Sequence, residues 1–451
     1  MLLIEMTIGS DTLYAGTDAL ADTQGYINPW IISASPMVYS LSQPYGGYCE
    51  LTFGAVDFDP QMFLASGHWP APISAAGSIY LVTGALADKN LLMTCKMHLK
   101  TIAADAVTYD IYDPAPDSNL LTEAADYDGN TVPLPRAFGT VNFVAATRLA
   151  DDAVTFYRRY DLGHLQGTKH VHWHVYDDGI DVCSNVGSAA DNVFTYTVTP
   201  VGEITLSGTG DLTSLEEIFT WAVGAGQMDI NWSSLYLIRD SAGSAIVDNS
   251  GLPLWDSSYY SATSASGLSA WVTSQQTGKS WLALLTAYFR YMFFIDAGVL
   301  NLISMDKANG ALALAASDYT SASLTAPAPC SGARAKWQTA ASVSESVGQY
   351  VKRTDNEVFR QSAYTYGKEI SIDPFQAAQN DIATSLDSII AYSNALACEI
   401  TLPLVPGKLP KPGMRLDIVL FQDLAVSMTA RTIQYDYTKM SVTISGEATV
   451  A

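Results

Sequence analysis

His170, His172 and His174 are the residues whose type and spacing come nearest to doing chemistry in this chain. They occupy every second position of the run His170-Val171-His172-Trp173-His174-Val175. In an extended strand that spacing puts all three imidazoles on one face. Val171, Trp173 and Val175 then take the other face, toward a core. Neutral imidazole is a ligand for zinc, nickel and copper, so metal binding is the candidate chemistry of this strand. Same-face neighbours stand about 7 Å apart and nearly parallel, which is wide for three ligands on one ion. A second chain or a symmetry axis would have to supply convergence. A solvated or interface-facing strand surface explains the same pattern with less.

Other groupings point to structure rather than reaction. Asp126, Asp128 and Asn130 begin like a calcium loop, but Thr131 stands where that loop needs glycine and Ala137 where it needs glutamate. A polar turn is the better reading. Asp177-Asp178-Gly179 reads as a β-turn rather than an acidic site. No nucleophile elbow, phosphate-binding loop or dinucleotide fingerprint occurs. No two carboxylates stand out as a glycosidase pair. His68-Trp69 and the tyrosine-rich loops suit sugar binding and interface packing equally. No catalytic or cofactor-binding residue is therefore assigned, and the chain is not expected to be an enzyme.

The elements around the histidines are read as a small β module. Pro133 and Pro135 hold the approach extended. Thr140 to Ala145 reads as a strand, a second follows near Phe156, and a third runs from His170 to Tyr176. A fourth alternates through Phe194, Tyr196 and Val198.

Composition bounds the rest. At 451 residues, 48% hydrophobic and 15% charged, the chain is long and apolar enough for several cores. A net charge of −22 argues against a grip on nucleic acid, which needs cations to displace counterions. Cys49, Cys95, Cys183, Cys330 and Cys398 are scattered singly with no C-x-x-C, which suits reduced, buried thiols. Met1 to Ser10 carries Glu5 and no basic stretch, so it does not read as a secretory signal, which counts against a bacterial surface protein. Trp281 to Met305 is the most apolar stretch. Arg290, Asp296 and the turn Asp296-Ala297-Gly298 make it a buried helix and hairpin, not a membrane span.

Taken in order, residues 1 to 125 predict strands at Pro36–Leu41, Tyr48–Val56, Ile79–Thr83, Leu91–Ile102 and Ala106–Tyr112, with Phe58-Asp59-Pro60 turning into a loop. Thr213 and Glu216 form a capping box before a helix through Ala222. Further helices are expected at Gly267–Ser274 and Ser280–Phe289. Residues 306 to 335, rich in Ala, Ser and Pro, read as a linker. A long helix is expected from Pro374 to the Ala395 region, with Ile382, Leu386, Ile389 and Ile390 inward. The clearest alternation is Cys398, Ile400, Leu402, Leu404, then Met414, Leu416, Ile418, Leu420, then a strand from Ala425 and a last one through Val442 and Ile444.

Pro133-Leu134-Pro135-Arg136-Ala137-Phe138-Gly139-Thr140-Val141, a tyrosine-containing strand, and Val175-Tyr176-Asp177-Asp178-Gly179 follow one another over about seventy residues. This succession resembles the inserted β domain of tailed-bacteriophage baseplate hub, or tail tip, proteins. The C-terminal meander with its Pro406-Gly407 to Gly413 turn is similar to the C-terminal barrel of the same family. The resemblance covers most of the chain, most strongly residues 132–202 and 374–450. It implies a mainly β, α+β chain of four parts. These are a barrel over 1–125 that a later segment can complete, an inserted small β domain over 126–208, a helix-containing segment over 209–315, and a second barrel with one long helix over 316–451. It also implies a homotrimeric ring at the distal end of the virion tail, assembled in the host cytoplasm. The ring would contact tail tube, tape measure and tip or fibre proteins, and DNA would pass through it without specific binding. Some tail tip proteins hold an iron–sulfur cluster through clustered C-terminal cysteines. That pattern is missing here, so no cofactor is expected. The competing expectation is a glycan-binding or glycan-degrading tip protein.

Overall fold

The computed structural model describes residues 1–22, 25–43, 46–82, 84–112, 124–127, 130–133, 136–148, 155–157, 173–186, 193–209, 269–272, 278–288, 290–296, 299–305, 311–345, 348–372, 379–405, 410–420 and 423–450. The fold is mainly β, as the alternating stretches predict. Its largest sheet has sixteen strands. From one edge the order is Asp11–Gly16, Leu2–Ile8, Ser74–Leu81, Asn90–Ile102, Val107–Tyr112, Gly46–Phe58 and Met37–Gln43. The sheet then passes to the other end of the chain through Ala425–Asp436, Ser441–Val450, Leu396–Pro403 and Ser321–Thr325. Every step along this path is antiparallel.

The reason is a period of two. In Ser441–Val450, Val442, Ile444, Gly446 and Ala448 are buried while the residues alternating with them are only partly so, the pattern of a strand with one face on a core and one toward water. At the other end of the chain Leu2, Ile4 and Met6 share one buried face, while Leu3 on the opposite face is buried in a small cluster with Ile27 and Val82. Leu2, Ile4 and Met6 enter one continuous core with Val442, Ile444 and Ala448, together with Phe53, Phe58, Tyr109 and Met428. The hairpin Tyr291–Asp296 with Val299–Ser304 joins it through a short parallel contact of Met292 and Phe293 with Gly47 and Tyr48. It is preceded by the helix Gly278–Tyr288, as the apolar stretch predicts. No described helix is long and apolar enough to cross a membrane.

Several expectations change. The two barrels do not close: among the described residues no sheet returns on itself. The strand Met37–Gln43, which would have to meet Asp11–Gly16 to close the first barrel, takes Ala425–Asp436 as its neighbour instead. Pro60–Ser66 is a helix rather than a loop. The Asp59 carboxylate accepts from the Gln61 N–H at 2.8 Å and Pro60 occupies the first turn, a legible start signal. Ser269–Val272 is a strand and not a helix, because Arg136–Ala145 offers it a backbone partner and its Trp and Val suit a pleated surface. The expected linker contains two strands of the main sheet, Ala311–Leu314 beside Arg415–Val419 and Ser321–Thr325 beside Leu396–Pro403. The capping-box helix at Thr213–Ala222, Asp128 of the calcium-like run and the turn at Ala297-Gly298 lie outside the described residues.

A second core is built by the long hairpin Cys330–Glu345 and Gly348–Gln361, by Lys368–Ile372, and by the helix Gln379–Ser393, which buries Leu386, Ile389 and Ile390 as its spacing predicts. This helix meets the main sheet at a polar joint. The Arg431 guanidinium lies 3.3 Å from the Tyr392 ring centre and pairs with Glu447, and Arg290 lies 4.8 Å from the same ring. Burial pushes the Glu447 carboxyl up to about 7 although Arg431 opposes the shift.

Two expectations follow from this packing. An acid held above its ordinary value of 4.5 contributes stability that is fully present below that pH and lost as pH rises through about 7. Urea unfolding should therefore show stability falling across that window, and Glu447→Gln should flatten the slope there. At the seam, Tyr39 packs edge-on against both Phe294 and Tyr435. Tyr39→Ala should cost about 3–5 kcal/mol in the same measurement, whereas the exposed Tyr26→Ala should cost little.

Candidate functional site

The histidine strand is described from Trp173 to Asp177, and it turns back at once into Ile180–Asp181. Asp178 and Gly179 have φ of 48° and 82°, the two left-handed residues of a type I′ hairpin, for which Asp-Gly is a preferred pair. The turn expected at Asp177-Asp178-Gly179 is thus present. On its other side the strand pairs with Ile204–Thr209, so that Val175 faces Leu206 and His174 faces Ser207. Beyond lie Arg136–Ala145 and Ser269–Val272, completing a five-stranded sheet. Val175 and Leu206 are fully buried against Phe156, Phe194 and Tyr196, and His174 is therefore held outward.

His170 and His172 lie outside the described residues. What the structure brings to His174 is Asp181 and Cys183. The Nδ1 of His174 is 3.1 Å from Asp181 Oδ2 and 3.7 Å from Cys183 Sγ. The ligand-type atoms of the three lie within 4.8 Å of one another. The other Asp181 oxygen accepts the Cys183 N–H at 3.0 Å, and the Val175 N–H donates to Cys183 Sγ at 3.3 Å. Cys183 is exposed, contrary to the expectation of buried thiols, which Cys49, Cys95, Cys330 and Cys398 meet.

The electrostatics follow from these contacts. Partial burial works against charge on Asp181, yet the Cys183 N–H and thiol and the His174 ring outweigh it and hold the carboxyl below its ordinary range. Burial raises the Cys183 thiol, and the Asp181 charge raises it further against the Val175 N–H. A nucleophilic Cys–His–Asp relay needs the base to meet cysteine and carboxylate through different ring nitrogens. Here both meet Nδ1, and the thiol is raised rather than activated. The arrangement converges three donors on one point instead of relaying a proton.

Asp181 and Cys183 are absent from the candidate residues that spacing alone singles out, although the sequence carries a signal for them. A two-residue Asp-Gly turn pairs Asp177 with Ile180 and Tyr176 with Asp181. Continuing that register puts Cys183 across from His174.

Asp177 acts as a latch. It is buried, and its carboxylate accepts from the Tyr196 hydroxyl at 3.1 Å, from the Val201 N–H at 2.9 Å and from the Gly202 N–H at 2.8 Å. Gly202 is needed for this approach, since a Cβ there would stand 2.6 Å from that of Asp178.

Fold and site together define a mainly β chain with one large open sheet, to which a small sheet carries a hairpin of clustered donors. No protein-family model and no curated protein matches the chain. Among solved structures it is similar to a tail protein from Neisseria meningitidis MC58, at 7% identity over 99% of this chain and 96% of that one, with a TM-score of 0.38. It is similar to a chain of the virion of a native gene transfer agent particle, at 12% identity over 74% and 88%, with a TM-score of 0.42. A chain of the phage P2 baseplate in its activated conformation with Ca shares 7% identity over 99% of both, with a TM-score of 0.30. Likenesses this loose carry no argument about function.

The latch yields a direct expectation. Asp177→Ala strands the buried Tyr196 hydroxyl and removes the acceptor of two part-buried amides, and should cost about 1–3 kcal/mol, read as a lowered denaturation midpoint. Asp177→Asn, which keeps an acceptor oxygen, should cost less. Thr199→Ala, at an exposed position near the latch, serves as the control.

Proposed function

We propose that this chain is a structural protein of a phage virion, the baseplate hub at the distal end of the tail. The observation that carries the reading is where the hub-like segments fall. The residues from Arg136 onward and the Val175-Tyr176-Asp177-Asp178-Gly179 turn, far apart in sequence, meet in one small sheet, with Ile204–Thr209 between their strands. A domain defined by resemblance should fold as such a unit.

In this reading three copies close a ring around the tail axis. Symmetric closure suits a chain whose sheet ends in two edge strands, Asp11–Gly16 and Ser321–Thr325, each with one described neighbour in the sheet. The main sheet contacts the tail tube above, and the small inserted domain over 126–208 and the helix-containing segment over 209–315 hold tip or fibre proteins. The tape measure protein and then the genome pass through the lumen. A net charge of −22 lets DNA move past without adhering, because 45 acidic residues outweigh the 23 Lys and Arg that could displace its counterions. The role is mechanical, not enzymatic, and its location is the virion tail, assembled in the host cytoplasm.

Native mass spectrometry over a concentration series tests the ring. A trimer that persists on dilution is the expected result. A monomer at every concentration counts against a ring that closes by itself. Deletion of the gene from the phage should leave heads intact and halt tail assembly, and normal tails in its absence would refute the assignment.

A further inference from the structure

The hairpin from Trp173 to Cys183 carries three donors of three kinds at one point: imidazole nitrogen, carboxylate oxygen and thiol sulfur. We propose that His174 Nδ1, Asp181 Oδ2 and Cys183 Sγ form a binding site for a zinc ion, with the fourth position facing solvent.

Geometry supports this first. Zinc takes nitrogen and oxygen ligands at about 2.0–2.1 Å and thiolate at about 2.3 Å in a tetrahedron. Those lengths separate nitrogen from oxygen by about 3.3 Å and nitrogen from sulfur by about 3.6 Å. The hairpin holds them at 3.1 and 3.7 Å. All three atoms lie within 4.8 Å of one another, so closing the oxygen–sulfur pair to the roughly 3.6 Å of a shared tetrahedron takes side-chain movement of up to about an ångström, not a rearrangement of the backbone.

The surroundings support it second. Around metal ligands, outer hydrogen bonds fix the orientation of each donor. Asp181 is oriented by the Cys183 N–H on its other oxygen, and Cys183 Sγ receives the Val175 N–H, a contact that stabilises a thiolate. The type I′ turn fixes the register that puts these residues face to face. Charge supports it third. Neutral imidazole, carboxylate and thiolate bring two negative charges, which balance a divalent cation. The mixed donor set excludes calcium and magnesium, which take oxygen ligands, and suits zinc. Binding transfers the thiol proton to solvent, so affinity rises with pH.

This site differs from the three-histidine strand face suggested by spacing alone. It uses one of those histidines and two residues from the return strand and the turn after it.

The test is calorimetric titration of zinc chloride into the full-length protein after dialysis against chelator, with cobalt(II) absorption as the second readout. One ion per chain is expected, with sulfur-to-cobalt charge-transfer absorption, protection of Cys183 from alkylation, and tighter binding at higher pH. His174→Ala and Cys183→Ser should each weaken binding at least roughly tenfold, and circular dichroism should show both variants folded. The double variant His170→Ala, His172→Ala should bind as the parent does. Loss of binding in that double variant, or unchanged binding in Cys183→Ser, overturns the proposal, as does the absence of any binding to the parent protein.

Discussion

The structure depends on one seam. Near the start of the chain, Met37, Val38 and Tyr39 pair with Tyr435, Gln434 and Ile433 near its end. Three ladder positions join two sets of strands that would otherwise be separate sheets, each with an open edge. Side chains reinforce the seam: Phe53 stacks on Tyr437, Tyr39 meets Tyr435, and the Tyr437 hydroxyl donates to Met37 Sδ at 3.7 Å. Everything between residues 44 and 424 is in effect inserted between two neighbouring strands. The hairpin at Tyr291–Ser304, the helix at Gln379–Ser393 and the small sheet with the donor cluster all hang from a frame that the chain ends close. A contact of such sequence separation is costly in loop entropy, and the shared core it completes offsets that cost.

The sequence revealed the strands far better than their partners. Val442, Ile444, Leu416 and Ile418 announce a buried face because alternation is a local property. Which strand lies beside which is not local, and nothing in Met37–Gln43 states that its neighbour is Ala425–Asp436 rather than the other edge of its own sheet. The two barrels are what the resemblance implies, the first open to completion by a later segment; among the described residues their strands instead run on into one large sheet that does not close. Where a helix was expected at Gly267–Ser274, a distant partner decided the outcome again, through Arg136–Ala145. The helix at Pro60–Ser66 is different: Asp59 and Pro60 carry its start signal plainly, and a corner and a helix start share the same proline.

The donor cluster falls between these cases. His174 was legible from strand periodicity, but its partners depend on hairpin register, which the Asp178-Gly179 turn specifies two residues away. Singly scattered cysteines suggest buried thiols, yet Cys183 is exposed. Its exposure follows from the short turn of helix at Cys183–Asn185 that carries it out of the strand. Asp177, one residue before the turn, faces the other way and is consumed by the Val201 and Gly202 amides. Adjacent carboxylates thus divide between holding the hairpin closed and lying exposed at its tip.

The central claim, that this chain is a ring-forming hub of a phage tail, is tested most directly by electron cryomicroscopy of the intact particle. The account predicts density for three copies around the tail axis at the distal tip, with the seam between Met37–Gln43 and Ala425–Asp436 intact in each and an open lumen lined by acidic side chains. Copies placed singly on fibres away from the axis, or a mature particle that lacks the chain, would contradict it.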